Sequence, residues 1–272
     1  MKILTLNTHS LVEENYKAKT EIFIEAVLRE KPDIIALQEV NQTIAEPAAE
    51  GVFGGYVPCG DNVTVRRDNH ALTVSEGLRK QGLAYNWTWL PLKKGYDKFD
   101  EGIAIFSLEP ILETSVIQIS RADDYNDWKT RKALGIKSRG GWFYSVHTGW
   151  WDDEDDPFPE QWERLFAVLP KNEQVWLMGD FNNPAEVRGE GYDLMLSHGW
   201  QDCYAAAEKK DGGITVPGAI DGWRDKPDPD SGMRIDLILC NERVKIRSCR
   251  TAFDGVNEPV VSDHFGVIAE TE

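Results

Sequence analysis

The sequence predicts a single α/β domain built from two packed mixed sheets with helices outside. Three observations predict it. A strand, an amphipathic helix and a second strand follow one another within the first 40 residues, which is the spacing of a βαβ unit with a parallel pair. Further strands and helices are interspersed through both halves of the chain. The 272 residues, 41% of them hydrophobic, contain no linker, repeat or low-complexity tract that would divide them, so one domain over 1–272 fits better than two small ones.

Residues 3–8 read as a buried strand. Residues 17–30 set Ile22, Ile24, Ala26, Val27 and Leu28 among charges, the pattern of an amphipathic helix that ends before Pro32. The apolar run in 33–40 is the second strand. Residues 46–68 are rich in Gly, Pro and Asp and read as loop, and 70–81 as helix. Strands are expected at 84–90, 102–107, 111–119, 133–138 and 142–148. Phe158 to Leu169 reads as a helix with Pro159 near its start and Pro170 at its end. Val175 to Met178 is a buried strand running into Gly179-Asp180-Phe181-Asn182, and 187–198 reads as helix. The long stretch 207–232 reads as loop, and 234–240, 243–253 and 264–269 as closing strands.

The formal net charge is −16. Proteins that grip nucleic acid usually carry a basic stripe, because counterion release supplies much of that affinity. The charge therefore points away from long polyanions and toward a small phosphorylated metabolite. The apolar run Ile3-Leu4-Thr5-Leu6 is too short for a signal peptide, and no stretch approaches the roughly 20 apolar residues that span a bilayer. Cys59, Cys203, Cys240 and Cys249 form no C-x-x-C pair and read as free thiols of a reducing compartment. The sequence reads as a cytoplasmic protein without a membrane partner.

Acids, amides or histidines follow buried apolar runs in Leu6-Asn7-Thr8, Leu37-Gln38-Glu39-Val40, Asp100-Glu101-Gly102, Ser145-Val146-His147, Met178-Gly179-Asp180-Phe181-Asn182 and Ser262-Asp263-His264-Phe265, and Arg234-Ile235-Asp236-Leu237 places an acid inside such a run. Ligands of α/β folds bind beyond strand ends, so placement matters more than residue type. Any one of these residues is as well explained by the start of a turn. Together they are not.

In order and spacing, from Asn7 to His264, this set resembles the endonuclease/exonuclease/phosphatase superfamily. The resemblance implies a four-layer αββα sandwich, two central sheets flanked by helices, and a metal-dependent phosphoesterase. It implies Glu39 as principal Mg²⁺ ligand (Mn²⁺ as the alternative), with Asn7 beside it and Asp263 as a further metal-site carboxylate. Hard oxygen ligands suit Mg²⁺. Asp180 would position and deprotonate the attacking water, Asn182 would donate to the phosphate, and His147 would offset charge on it. His264 would contact the scissile phosphate, with Asp236 orienting its ring. Glu101 would hydrogen-bond a histidine behind the site, and Arg131 would contact phosphate. Thr215, Asp221 and Arg224 match the pattern only loosely, and His9, His70 and His198 match no motif.

The family fixes the reaction, not the substrate. Trp150 and Trp151 follow His147 closely, and Trp87, Trp89, Trp128, Trp200 and Trp223 lie in or beside other loops. Indole faces stack on sugars, although each of these residues is at least as well explained by core packing. Leu4 to Ser10, Gly149 to Asp153 and Ile220 to Asp225 also look like a narrower bacterial branch that includes maltose 6'-phosphate phosphatase. The expected substrate is a small soluble sugar phosphate, with maltose 6'-phosphate the leading candidate. Trp150 and Trp151 are the expected sugar contacts. A Mg²⁺-dependent nuclease and a catalytically silent binding module are the competing readings.

Overall fold

A computed structural model of the chain describes residues 1–51, 53–218, 220, 223 and 232–272. Its frame is two sheets, each with a central parallel strand pair; the short strand Lys209–Lys210 also pairs parallel at the edge of the first sheet. The first pair is β1 (Lys2–Asn7) and β2 (Ile34–Thr43), joined through α1 (Tyr16–Glu30). After α2 (His70–Lys80), the hairpin β3 (Asn86–Gly95) and β4 (Phe99–Ser107) adds to β2 antiparallel. Next come β5 (Glu113–Gln118), β6 (Lys132–Ser138) and β7 (Gly141–His147). The helix α3 (Phe158–Val168) crosses to β8 (Val175–Asp180), which lies parallel to β7 and forms the second pair.

The chain continues through α4 (Gly191–Ser197), the two-residue β9 (Gln201–Asp202), α5 (Cys203–Ala206) and the two-residue β10 (Lys209–Lys210). It closes with β11 (Asp236–Cys240), β12 (Ile246–Ala252) and β13 (Gly266–Thr271). One sheet has the order β10-β12-β13-β1-β2-β4-β3, the other β5-β6-β7-β8-β11-β9.

Alternation along the strands builds three apolar layers. Ile3, Ile34, Ala36 and Ile105 meet Leu134, Ile136, Trp176 and Met178 between the sheets. Leu4, Leu6, Ile35 and Leu37 face the other way, onto Phe23, Val27, Ala71 and Leu78 of α1 and α2. Leu177 and Leu239 cover Phe158, Trp162 and Met195 of α3 and α4. The result is the four-layer αββα sandwich.

Several expectations shift. The second strand passes Val40 and runs to Thr43, and the third extends to Gly95. The helix expected from 187 begins at Gly191, and β10 lies inside the stretch expected to be loop. Trp87 and Trp89 lie on β3 and are fully buried in the core under α1 and α2, so they are core residues and not loop aromatics.

Candidate active site

Strand register brings the chemistry to one end of the sandwich. In the first parallel pair Asn7 ends β1 opposite Gln38, and in the second His147 ends β7 opposite Asp180. β11 runs antiparallel to β8, so its first residue, Asp236, also faces Asp180. Buried Gln38 crosses between the sheets, its Nε2 donating to Ser145 Oγ at 2.9 Å, while Ser145 donates to the Leu37 carbonyl at 3.1 Å. This polar tie fixes the two strand ends against each other directly beside the site. Gly179 allows the approach: with φ at +144°, a Cβ there would sit 2.0 Å from the Val146 carbonyl.

Glu39 does not follow its strand. It sits within β2 at an irregularity where the register with β4 shifts between Leu37 and Val40, and its φ is +51°. A second shift, between Pro91 and Lys93 of β3, lies across β4 from the first, and Gly102 faces both. Bulges next to active sites re-aim side chains. His9, Ser10 and Asn182 are also left-handed non-glycine residues, at about 1–3 kcal/mol each, while Asn15, Lys31 and Phe253 share that conformation elsewhere.

These side chains surround a cavity of about 340 Å³. Asp180 is its centre. Its Oδ1 accepts from the Asn182 amide at 2.9 Å, and its Oδ2 lies 3.2 Å from Asn7 Nδ2, 3.5 Å from His147 Nε2 and 3.9 Å from His264 Nε2. His264 Nδ1 lies 2.9 Å from Asp236 Oδ2. Burial alone would lower the His264 pKa, but the Asp236 carboxylate, aided by Asp180 and Asp263, raises it to about 10, so the ring is an imidazolium at neutral pH. Burial pushes Asp180 up to about 7; Asp236 adds to that, and the His264 charge opposes it. His147 is held well below 6.5 by burial and by Arg131, Lys93 and His264, and is therefore neutral.

The supports are local. Ser262 Oγ donates to the Asn7 carbonyl at 2.7 Å and anchors the segment bearing Asp263 and His264 to the end of β1. Thr215 Oγ1 accepts from the amides of Ile235 and Asp236. Trp223 Nε1 donates to Asn182 Oδ1 at 2.9 Å, while Asn182 Nδ2 donates to the Thr148 carbonyl at 3.0 Å, which among the described residues leaves one Nδ2 hydrogen for a ligand.

Glu39, Glu101, Arg131, His147, Trp150, Asp180, Asn182, Asp263 and His264 all line the cavity, and Asn7 and Asp236 bond to its walls. Trp151 is a correction: it packs against the core beneath α3, on the opposite side from its neighbour Trp150. Glu101 is another. Its carboxylate lies 3.3 Å from Lys93 Nζ, and no histidine is bonded to it. Asp221 and Arg224 fall outside the described residues.

The structure adds His9, Lys93, Tyr96 and Trp128 to the wall. Lys93 carries the same signal used for the other site residues, a charge after the apolar run Trp89-Leu90-Pro91-Leu92. His9 carries none. Burial, then Glu101 and Asp263, push the Glu39 carboxyl up, against His9 and the Asn7 amide. The Glu39 and Asp263 carboxylates, which repel one another in one cavity, offer hard oxygen donors that fit a divalent cation.

A sequence model of the endonuclease/exonuclease/phosphatase family matches residues 4–264. A solved protein of that family from Leptotrichia buccalis is 30% identical and superposes with a TM-score of 0.87, covering 100% of this chain and 99% of that one. A mannosyl-6-phosphatase from Bacteroides thetaiotaomicron, 17% identical, superposes at 0.63 with coverages of 100% and 99%. A 3' phosphatase from Neisseria, bound to product DNA hairpin, is 18% identical and gives 0.63 with the same coverages. At such identities these last two show the fold alone. No curated protein matches the chain.

Proposed function

This chain belongs to the endonuclease/exonuclease/phosphatase family, and from that premise we propose that it is a Mg²⁺-dependent phosphomonoesterase acting on a small soluble sugar phosphate. The observation that carries the reading is the cavity itself. Its volume is that of a small-molecule site. Trp128 and Trp150, with ring centroids 5.9 Å apart, and Tyr96 supply aromatic faces. Arg131 is buried on its wall, and Nη1 has no hydrogen-bond partner among the described residues. A buried guanidinium N–H left without an acceptor is a ready phosphate donor.

Held by Glu39, with Asn7 and Asp263 beside it, a hard divalent cation would neutralise charge on the phosphate oxygens. The remaining steps belong to the side chains. Asp180 Oδ2 holds water for in-line attack and takes its proton. Arg131, the free Asn182 N–H and the His264 imidazolium face the developing negative charge, with Asp236 fixing the ring that carries it. Neutral His147 beside Asp180 offers a hydrogen bond to water or phosphate.

One structural neighbour is a mannosyl-6-phosphatase and another a 3' phosphatase bound to product DNA hairpin, so the fold leaves both substrate classes open. The net charge of −16 favours the smaller one. The test compares kcat/KM for phosphorylated mono- and disaccharides, maltose 6'-phosphate first, with 3'-phosphorylated and unmodified oligonucleotides in the same Mg²⁺ buffer. Sugar phosphates should be turned over faster. Faster release from oligonucleotides would overturn the reading and leave the hydrolytic site standing.

A further inference from the structure

Lys93 is a lysine in a strand, about 5% exposed, on the wall of the active-site cavity. The register shift after Pro91 places it opposite Glu101. Its ammonium has three hydrogens. One is directed at the Trp128 carbonyl at 2.8 Å and another at Glu101 Oε1 at 3.3 Å, which among the described residues leaves one more. Burial, and then Arg131 on the same wall, disfavour a positive charge at Lys93, while Glu101 and Glu39 favour it. Glu101 pairs with Lys93, and the Arg131 guanidinium beside it, with Nη1 unfilled among the described residues, calls for a further anion. Arg131 Nη1, buried and without a hydrogen-bond partner among the described residues, is independent evidence that this wall has a donor for a further acceptor.

We propose that Lys93 and Arg131 together form the pocket that selects a phosphomonoester dianion over a phosphodiester monoanion, with Lys93 contacting the extra unesterified oxygen. The inference rests on the phosphatase reading and deepens it. A monoester above its second pKa, about 6, carries nearly two charges and three terminal oxygens. A diester carries one charge and two such oxygens. Oxygens turned toward the attacking side are served by His264 and Asn182, while Asp180 holds the water. The additional oxygen needs a cationic donor, and the Lys93 ammonium, held between Glu101 and the Trp128 carbonyl, stands on that wall. Lys93 also holds the Trp128 segment through its carbonyl, so the phosphate pocket and the aromatic wall are built on the same side chain.

The experiment compares wild type with Lys93→Met, Lys93→Arg and the double variant Lys93→Met/Glu101→Gln, which leaves no orphaned carboxylate; thermal unfolding verifies that each is folded. Binding of inorganic phosphate and of dimethyl phosphate is measured by calorimetry, and kcat/KM is measured for p-nitrophenyl phosphate and bis(p-nitrophenyl) phosphate. Lys93→Met and the double variant should lose about 10²-fold on the monoester and less than about 3-fold on the diester. Phosphate binding should weaken about 10-fold with dimethyl phosphate unchanged, as expected for loss of a charge-assisted hydrogen bond. Lys93→Arg should recover most of the loss. Equal losses on both esters, or unchanged phosphate affinity, would overturn the assignment. The phosphatase reading fails separately, on a wild-type preference for oligonucleotides, and the phosphate-binding arm still decides Lys93 in that case.

Discussion

Burial, with Asp236 nearby, keeps the Asp180 carboxyl protonated up to about pH 7, while Asp236 keeps the His264 ring protonated up to about pH 10. A base must be unprotonated and an imidazolium protonated to work, so kcat/KM should fall as pH drops through about 7 and again as it rises through about 10. Asp236→Asn should move the alkaline limb to lower pH and leave the fold intact; an unmoved limb would show that the pair does not set it. Asp180→Asn and His264→Ala should each lower kcat by about 10²-fold or more. His70 gives a stability effect away from the chemistry. Burial lowers its pKa from 6.5 to about 4, so between those values the unfolded chain binds the extra proton, and about 3 kcal/mol of stability is lost as pH drops across that window. Urea unfolding of His70→Gln at pH 7 and pH 4.5 should show a smaller loss than wild type. Acids and histidines such as Glu39, Asp180 and His264 were legible because each abuts an apolar run. Trp150 and Trp151 were not separable, because adjacent residues face opposite sides and sequence gives the pair only one position.

The elements show where the pattern stops being informative. β2 reads as ending at Val40 because Asn41, Gln42 and Thr43 are polar, yet Asn41 and Gln42 are buried and their pairing with β4 continues. Gln42 stays there by donating to the Thr64 carbonyl at 2.9 Å and to Asp100 at 2.8 Å. Such partners are distant in sequence, so polarity alone looks like loop. The two register shifts flanking β4 are invisible for the same reason, and with them the aim of Glu39 and Lys93. At the junction of β7 and β8 the sequence constraint is one of space. Gly179→Ala would drive a methyl group into the Val146 carbonyl at a backbone angle that side chains avoid. It should destabilise by about 3 kcal/mol, read as a lower urea midpoint with unchanged slope.

For the molecule as a whole, a cation that binds the folded carboxylates and not the unfolded chain must raise stability, by about 2.7 kcal/mol at a hundredfold excess over Kd. Mg²⁺ or Mn²⁺ should raise Tm by several degrees, a chelator should abolish both the shift and the activity, and Glu39→Gln should lose the shift. Activity that survives exhaustive chelation, or that Zn²⁺ alone restores, would contradict the hard-metal reading. No described helix is long and apolar enough to cross a membrane. The position of β1 has a further consequence, for synthesis. β1 lies between β2 and β13, and Ser262 closes over its end. At ribosomal rates of about 5–20 residues per second, the first strand waits on the order of tens of seconds for its second neighbour. During that wait its edge is an unpaired template, exposed to neighbouring nascent chains on a polysome. A ribosome-stalled chain that ends before Ser262 lacks β13, Asp263 and His264, and should therefore be inactive and engaged by chaperones.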